Sequence, residues 1–199
     1  FFFLIFFFIF YSWIQKISLR IYEGNFSVSQ NTPTSIDVYH LMSLLPVMPY
    51  YQIIDVGCAD GTLSVQLAKL VYRGDLQAFD ENKKNLTTTR QKFRQARLTN
   101  VKAKEIKDHT LPIKNDTIDL ATLSYLSERV EDPKKIIAES VRALKSSGWI
   151  VIIDREMDMA KLPSSVEKYK KIAEKLKLKF NMKHNLSDED YLLTFTFRK

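Results

Sequence analysis

Seven consecutive residues, Asp55-Val56-Gly57-Cys58-Ala59-Asp60-Gly61, carry the clearest chemical signal in this chain. An apolar run beginning at Gln52 leads into them, and helical periodicity begins at Thr62. A strand therefore enters a turn of small residues, and a helix follows. Gly57 and Gly61 let the backbone approach a ligand closely and adopt conformations that other residues resist. The N–H groups of the helix start have no partners within the helix. In an open α/β sheet, the place beyond the carboxyl end of the first strand is where ligands bind. Asp80 is the second signal: it ends the run Leu76-Gln77-Ala78-Phe79, 19 residues after Gly61. A carboxylate there can accept hydrogen bonds from both hydroxyls of a ribose. A glycine turn or a strand-ending aspartate by itself often serves structure alone. In this order and at this spacing, the two read as a site for an adenosine-type cofactor.

The turn also narrows the cofactor. A dinucleotide needs a G-x-G-x-x-G turn against its pyrophosphate, and Gly57 to Gly61 contains no G-x-G. Asp60 would add a negative charge near the pyrophosphate. The G-x-x-x-x-G-K-[ST] pattern of a mononucleotide phosphate loop is absent. A phosphate-free adenosine compound with a positive sulfur and an amino group fits better, because Asp55 and nearby carbonyls suit a cation. That compound is S-adenosyl-L-methionine, which leaves as S-adenosyl-L-homocysteine.

These residues need a frame. Strand-like runs are expected at Gln52–Val56, Leu76–Phe79, Val101–Ile106, Ile118–Ser124, Gly148–Asp154, Lys179–Lys183 and Tyr191–Phe197. Helical spacing is expected over Ile36–Leu45 with Ser35 as cap, and over Thr62–Val71, Lys83–Ala96, Pro133–Leu144 and Ser164–Leu176. Strands alternating with helices imply parallel βαβ units. The last two strands are joined by a short polar loop, which implies an antiparallel pair at one edge. The expected fold class is α/β, a mostly parallel seven-stranded sheet with an antiparallel edge strand and helices on both faces. Three regions are expected: an apolar segment at 1–22, a linker with a lid-like helix at 23–50, and the cofactor-binding domain at 51–199.

The segment Asp55 to Gly61 resembles the first motif of the class I S-adenosylmethionine-dependent methyltransferases, with Ala59 in place of the usual middle glycine. Lys107-Asp108-His109-Thr110-Leu111-Pro112-Ile113 is similar to the family's D-A-x-x-L-P-F segment, and Ile118 to Ser124 resembles its F-D-x-V strand. Glu131-Asp132-Pro133 matches the D-P start of the next helix. Arg142 to Trp149 resembles R-V-L-K-P-G-G, with Ser146-Ser147 in place of Pro-Gly. The likeness covers roughly Ile36 to Lys199, and the subgroup most similar is that of quinone biosynthesis and its small-molecule relatives. Glu128-Arg129 stands where that subgroup commonly has a His pair.

The resemblance implies a Rossmann-like fold and transfer of a methyl group from sulfur to a small-molecule or lipid acceptor by direct in-line displacement. It implies cofactor contacts from Asp55, Gly57 and Gly61 at the methionine end, with Cys58, Ala59 and Glu81 also among the cofactor-binding residues. Asp80 would hold the ribose, Asp108 would meet the adenine amine with His109 packed nearby, and Ser124 and Tyr125 would lie beside the methyl group. The sulfonium is already activated, so positioning and exclusion of water suffice and no protein nucleophile is required. No catalytic residue is assigned: Glu128, Asp154, Glu156 and His40 are available as bases but read rather as structural or solvent-facing. Cys58 reads as a small turn residue. A non-catalytic scaffold on the same fold is the alternative.

Composition sets the outer limits. The chain has 199 residues, 45% apolar and 27% charged, the mixture of a folded domain. A single cysteine excludes an internal disulfide, a multi-cysteine zinc site and a cysteine-ligated iron–sulfur cluster. No metal is expected. The net charge of +7 permits an anionic partner without demonstrating one. Its late cluster, Lys161, Lys168, Lys170, Lys171, Lys175, Lys177, Lys179 and Lys183, reads as a solvated face or as a basic patch. Neither a cysteine nor [DNS]-P-P-[YFW] follows Ser124, so the nucleic-acid methyltransferase patterns are missing. Phe1–Ile14 is almost wholly apolar but shorter than the ~20 residues of a membrane span. It reads as the remnant of a membrane anchor, a start-site artefact, or a helix packed on the domain. The expected location is cytoplasmic, with membrane association through this segment as an option.

Overall fold

A computed structural model describes residues 36–130, 132–156 and 164–198. The Phe-rich start, Ser35, Glu131 and Lys161 lie outside the described residues. The elements run α1 (Val38–Ser43), β1 (Gln52–Val56), α2 (Thr62–Leu70), β2 (Asp75–Asp80), α3 (Lys83–Gln95), β3 (Val101–Glu105) and β4 (Ile118–Ser124). They continue with α4 (Leu126–Arg129), α5 (Pro133–Ala143), β5 (Leu144–Arg155), α6 (Ser165–Lys175), β6 (Leu178–Asn185) and β7 (Asp190–Phe197).

The strands form one sheet in the order β3-β2-β1-β4-β5-β7-β6. Pairing is parallel from β3 through β5, and β7 runs antiparallel to both β5 and β6. The antiparallel pair expected at one edge is β7 with the edge strand β6. A short loop returns β7 alongside β6, and its other side closes onto β5 over Trp149↔Thr196 to Arg155↔Asp190. Strand order reverses between β1 and β4, which opens a crevice at their carboxyl ends.

Side chains alternate across the strands, so neighbouring residues feed opposite faces. Ile53, Leu120, Val151 and Ile153 join Leu67, Ala68, Leu86 and Phe93 beneath α2 and α3. Ile54, Ala121, Leu123, Ile150 and Ile152 join Ile136, Ile137, Tyr169 and Ala173 beneath α5 and α6. Burial on both faces explains the near-continuous apolar runs of β1 and β4. Helix starts are capped locally: Asn82 accepts from Lys84 N–H, Asp132 from Lys134 N–H, and Ser164 from Glu167 N–H. α1 is capped by Asp37, which accepts from the N–H groups of Tyr39 and His40.

The described late lysines serve the surface of α6 and β6. Lys170 pairs with Glu167 at 3.1 Å and lies over the Phe180 ring at 4.8 Å. Lys183 lies over the Tyr191 ring at 5.3 Å. These contacts favour the solvated-face reading.

Candidate active site

The crevice between β1 and β4 is built by backbone first. After Val56 the chain turns through Gly57 at φ +78°, Ala59 at φ +49° and Gly61 at φ +80°. A Cβ on Gly57 would stand 2.7 Å from the Ser124 carbonyl oxygen, so only glycine lets β1 leave the sheet against β4. Cys58 and Gly57 both donate their N–H groups to the Phe79 carbonyl, which ties the turn to the end of β2.

Asp80 completes that tie. Its Oδ2 accepts from Ala59 N–H at 2.9 Å and from Arg129 Nη1 at 3.1 Å. Its Oδ1 accepts from Asn82 N–H at 2.8 Å and from Asn85 Nδ2 at 3.1 Å. The expected ribose carboxylate therefore sits against the glycine turn. All but one of its four partners belong to the turn or to the start of α3, and the fourth, Arg129, comes from α4 across the crevice. Arg129 also passes 3.6 Å from the Cβ position of Gly57. Reasoning from sequence treated Arg129 only as a departure from a His pair; its place in the site comes from the 49-residue contact with Asp80.

Asp55 is wholly buried. Its carboxyl accepts from the hydroxyls of Ser64 on α2 and Thr122 on β4. Burial pushes its proton affinity above the ordinary carboxylate range, against the pull of those two hydrogen bonds. Asp55 thus faces inward and fastens β1 to α2 and β4, and any effect on a ligand passes through its field. Asp60 is already engaged, accepting from Thr62 N–H at 3.1 Å and from Lys92 Nζ at 2.6 Å. Burial alone would raise it, but the Lys92 and Thr62 contacts prevail and hold it below its usual value. The charge once set against a pyrophosphate is therefore already paired, and the missing G-x-G alone argues against a dinucleotide.

Thr89 on α3 is a further residue sequence reading passed over. Its Oγ1 donates to the Ala59 carbonyl at 3.1 Å and lies 3.8 Å from Cys58 Sγ. Cys58 is buried and its thiol is pushed up by burial, as suits a small structural residue.

The remaining predicted residues flank the crevice. Glu81 is exposed, and His109 Nδ1 approaches its carboxylate at 3.4 Å. Asp108 and His109 both take left-handed backbone conformations, φ +50° and +56°, in the loop after Ile106. That loop is joined to Asp80 through Ile106 N–H, which donates to the Asp80 carbonyl. Ser124 closes β4, and Tyr125, at φ +52°, turns the chain into α4. The eleven predicted residues therefore gather at one end of the sheet, though Asp55 presents no carboxyl oxygen there.

Of the potential bases, Asp154 is fully buried and accepts from Ser127 Oγ, Ser127 N–H and Tyr169 OH. Glu156 binds the N–H and hydroxyl of Ser165 at the start of α6. His40 and Glu128 are exposed. Among the described residues, no three His, Cys, Asp or Glu side chains are grouped to hold a metal ion. Among them, too, no helix is long and apolar enough to cross a membrane.

A 37.1 kDa protein of a Streptomyces fradiae transposon is 28% identical over 119 residues, 59% of this chain and 34% of that protein. The ubiquinone/menaquinone biosynthesis C-methyltransferase of a Marinomonas species is 28% identical over 116 residues, 57% of this chain and 46% of that enzyme. The chain thus spans less than half the length of these relatives. The crystal structure of an S-adenosylmethionine-dependent methyltransferase from Aquifex aeolicus superimposes with a TM-score of 0.72 at 18% identity, covering 82% of this chain and 90% of that one. At that identity the likeness is one of fold. The family described as a methyltransferase domain matches residues 49–195, well over half of the sequence, and the chain belongs to that family.

Proposed function

We propose that this protein is an S-adenosylmethionine-dependent methyltransferase acting on a small-molecule or lipid acceptor. The supporting observation is the 2.9 Å hydrogen bond from Ala59 N–H to Asp80. It makes the glycine turn and the β2 carboxylate one preassembled unit, the two halves that an adenosine needs held together. The quinone methyltransferase among the relatives adds weight to a small-molecule acceptor.

In this reading Asp80 holds the ribose, exchanging Arg129 for the hydroxyls, with Glu81 beside it. The turn residues Gly57, Cys58, Ala59 and Gly61 receive the amino-acid end by their backbone, and Asp55 supplies a negative field behind it. The Asp108–His109 loop lies along the adenine. Ser124 and Tyr125 border the place of reaction. The cofactor supplies an activated methyl carbon: the acceptor's lone pair forms the new bond as the sulfur–carbon bond breaks, its electron pair remaining on sulfur. The chain's work is to orient the two partners and exclude water.

The Arg129–Asp80 ion pair favours one second reading, a non-catalytic scaffold whose ribose carboxylate stays permanently engaged. Calorimetric titration of the full chain with S-adenosylmethionine, S-adenosylhomocysteine and NAD separates the two. Micromolar binding of both sulfur compounds and none of NAD is the expected result. A folded protein that binds none of them would leave the scaffold reading.

A further inference from the structure

Asp108 and His109 are neighbours in the chain, and both are left-handed, at φ +50° and +56°. Side-chain-bearing residues keep such conformations where the surrounding structure fixes them, and they gather at ligand sites. Upstream of the pair, Ile106 is buried and donates its N–H to the Asp80 carbonyl at 3.1 Å. Around the pair, Thr110 N–H donates to the Lys107 carbonyl at 2.9 Å and closes a turn.

Downstream, two side chains of α5 hold the loop. Glu139 Oε2 accepts from the Leu111 N–H at 3.2 Å. Arg142 Nη2 donates to the Leu111 carbonyl at 3.1 Å, and Nη1 donates to the Ile113 carbonyl at 2.9 Å and to Asn115 Oδ1. Glu139 orients the guanidinium for this, accepting from Nε at 3.0 Å and from Nη2 at 2.9 Å. A planar fork of five N–H donors can make this set, and a single ammonium cannot. Leu111 is 1% exposed, in one apolar cluster with Ile136 and Ile137 of the same helix. Burial alone would keep Leu111 in place. The guanidinium reaches on to Ile113 and Asn115, so the whole run from Leu111 to Asn115 is fixed to α5, beginning two residues after the left-handed pair.

The consequence falls on the base. A carboxylate only accepts hydrogen bonds. Asp108 can therefore pair with the 6-amino group of adenine but not with the 6-carbonyl of hypoxanthine. That choice depends on where the loop is held. Resting on the methyltransferase reading, we propose that Arg142 and Glu139 are positioning residues for base recognition: by clamping Leu111 to Asn115 they set where Asp108 stands against the purine, and so make the site selective for a 6-amino purine cofactor.

The test compares S-adenosylhomocysteine with its inosine counterpart, S-inosylhomocysteine, by titration calorimetry of the full chain. The wild type is expected to prefer the adenine compound at least about tenfold, the effect of one hydrogen bond to a charged group. In Arg142→Gln the preference should fall to about threefold or less, through weaker binding of the adenine compound. Arg142→Lys should behave alike, since one ammonium cannot serve both carbonyls and Glu139 together. Glu139→Gln keeps an acceptor oxygen and is the milder variant should the Arg142 changes prevent folding; its preference should fall too. A clamp that served stability alone would lower the melting temperature and weaken both compounds equally, leaving their ratio as it was. An unchanged ratio in the folded variants, full recovery in Arg142→Lys, or equal binding of the two compounds by the wild type would each overturn the proposal while leaving the methyltransferase reading intact. Absence of S-adenosylhomocysteine binding to the wild type would defeat both readings together.

Discussion

Arg129 Nη1 lies 3.1 Å from Asp80 Oδ2, so a cation from α4 covers the carboxylate that ends β2. The same guanidinium stands beside Gly57. Asp80's other three hydrogen bonds come from Ala59, Asn82 and Asn85 and hold the turn and α3 in place. Arg129 is therefore the one partner that can leave without loosening the site.

Arg129→Gln should tighten the binding of S-adenosylmethionine and S-adenosylhomocysteine. A partly exposed ion pair is worth up to about 1 kcal/mol, so the gain should be about threefold to fivefold. Titration calorimetry reads it directly. A weaker affinity would mean that Arg129 helps hold the cofactor.

Asp80→Ala should act twice. Binding of the cofactor should fall by about 1–3 kcal/mol, the value of charge-assisted hydrogen bonds. The melting temperature should fall as well, because Ala59 and Asn82 lose their acceptor. Unchanged affinity in a folded variant would remove Asp80 from the ribose site.

Gly57→Ala should be among the most damaging single changes. The new methyl would meet the Ser124 carbonyl oxygen at 2.7 Å, in a left-handed conformation. Backbone strain and overpacking together should cost about 3–5 kcal/mol in urea unfolding. A loss of only about 1–2 kcal/mol, the cost of the left-handed conformation alone, would mean that β4 can move away from the turn.

Asp60 makes stability depend on acid. Its native proton affinity is lowered, since Lys92 and Thr62 outweigh burial. A carboxyl of that kind stabilises the fold above its unfolded pKa of about 3.9, and the contribution is lost as pH falls through the lower native value. Asp60→Asn should therefore cost on the order of 1 kcal/mol at pH 7, and the gap to wild type should close at acid pH. A gap that stays constant between neutral and acid unfolding experiments would contradict the Lys92 pairing. Asp55, raised by burial, contributes with the opposite sign, but it does so equally in both proteins.

Much of the frame was readable from local pattern. β1 and β4 fall at the expected bounds, Gln52–Val56 and Ile118–Ser124, because strands buried on both faces must be apolar throughout. Helix starts at Lys83 and Pro133 follow from capping chemistry confined to a few neighbours. The glycine turn and Asp80 were legible because one strand end and the next lie a fixed distance apart in a βαβ unit.

Other features had no local signal. Helix α4 has four residues and begins after a left-handed Tyr125, so neither periodicity nor a cap announces it. β5 begins at Leu144 rather than Gly148, because Ile118 of β4 pairs with Leu144 across a register shift. Asp55 turns inward because Ser64 and Thr122, nine and 67 residues away, offer hydroxyls to a carboxyl that burial would otherwise leave unsatisfied. Sequence by itself determined the sheet, the turn and the acid that ends β2, since these depend on residue type and short-range spacing. Only the tertiary structure decided which carboxylates face the crevice, which are already paired, and that Arg129 stands over Asp80, because a charged side chain takes its partner from whatever the fold brings within hydrogen-bond reach.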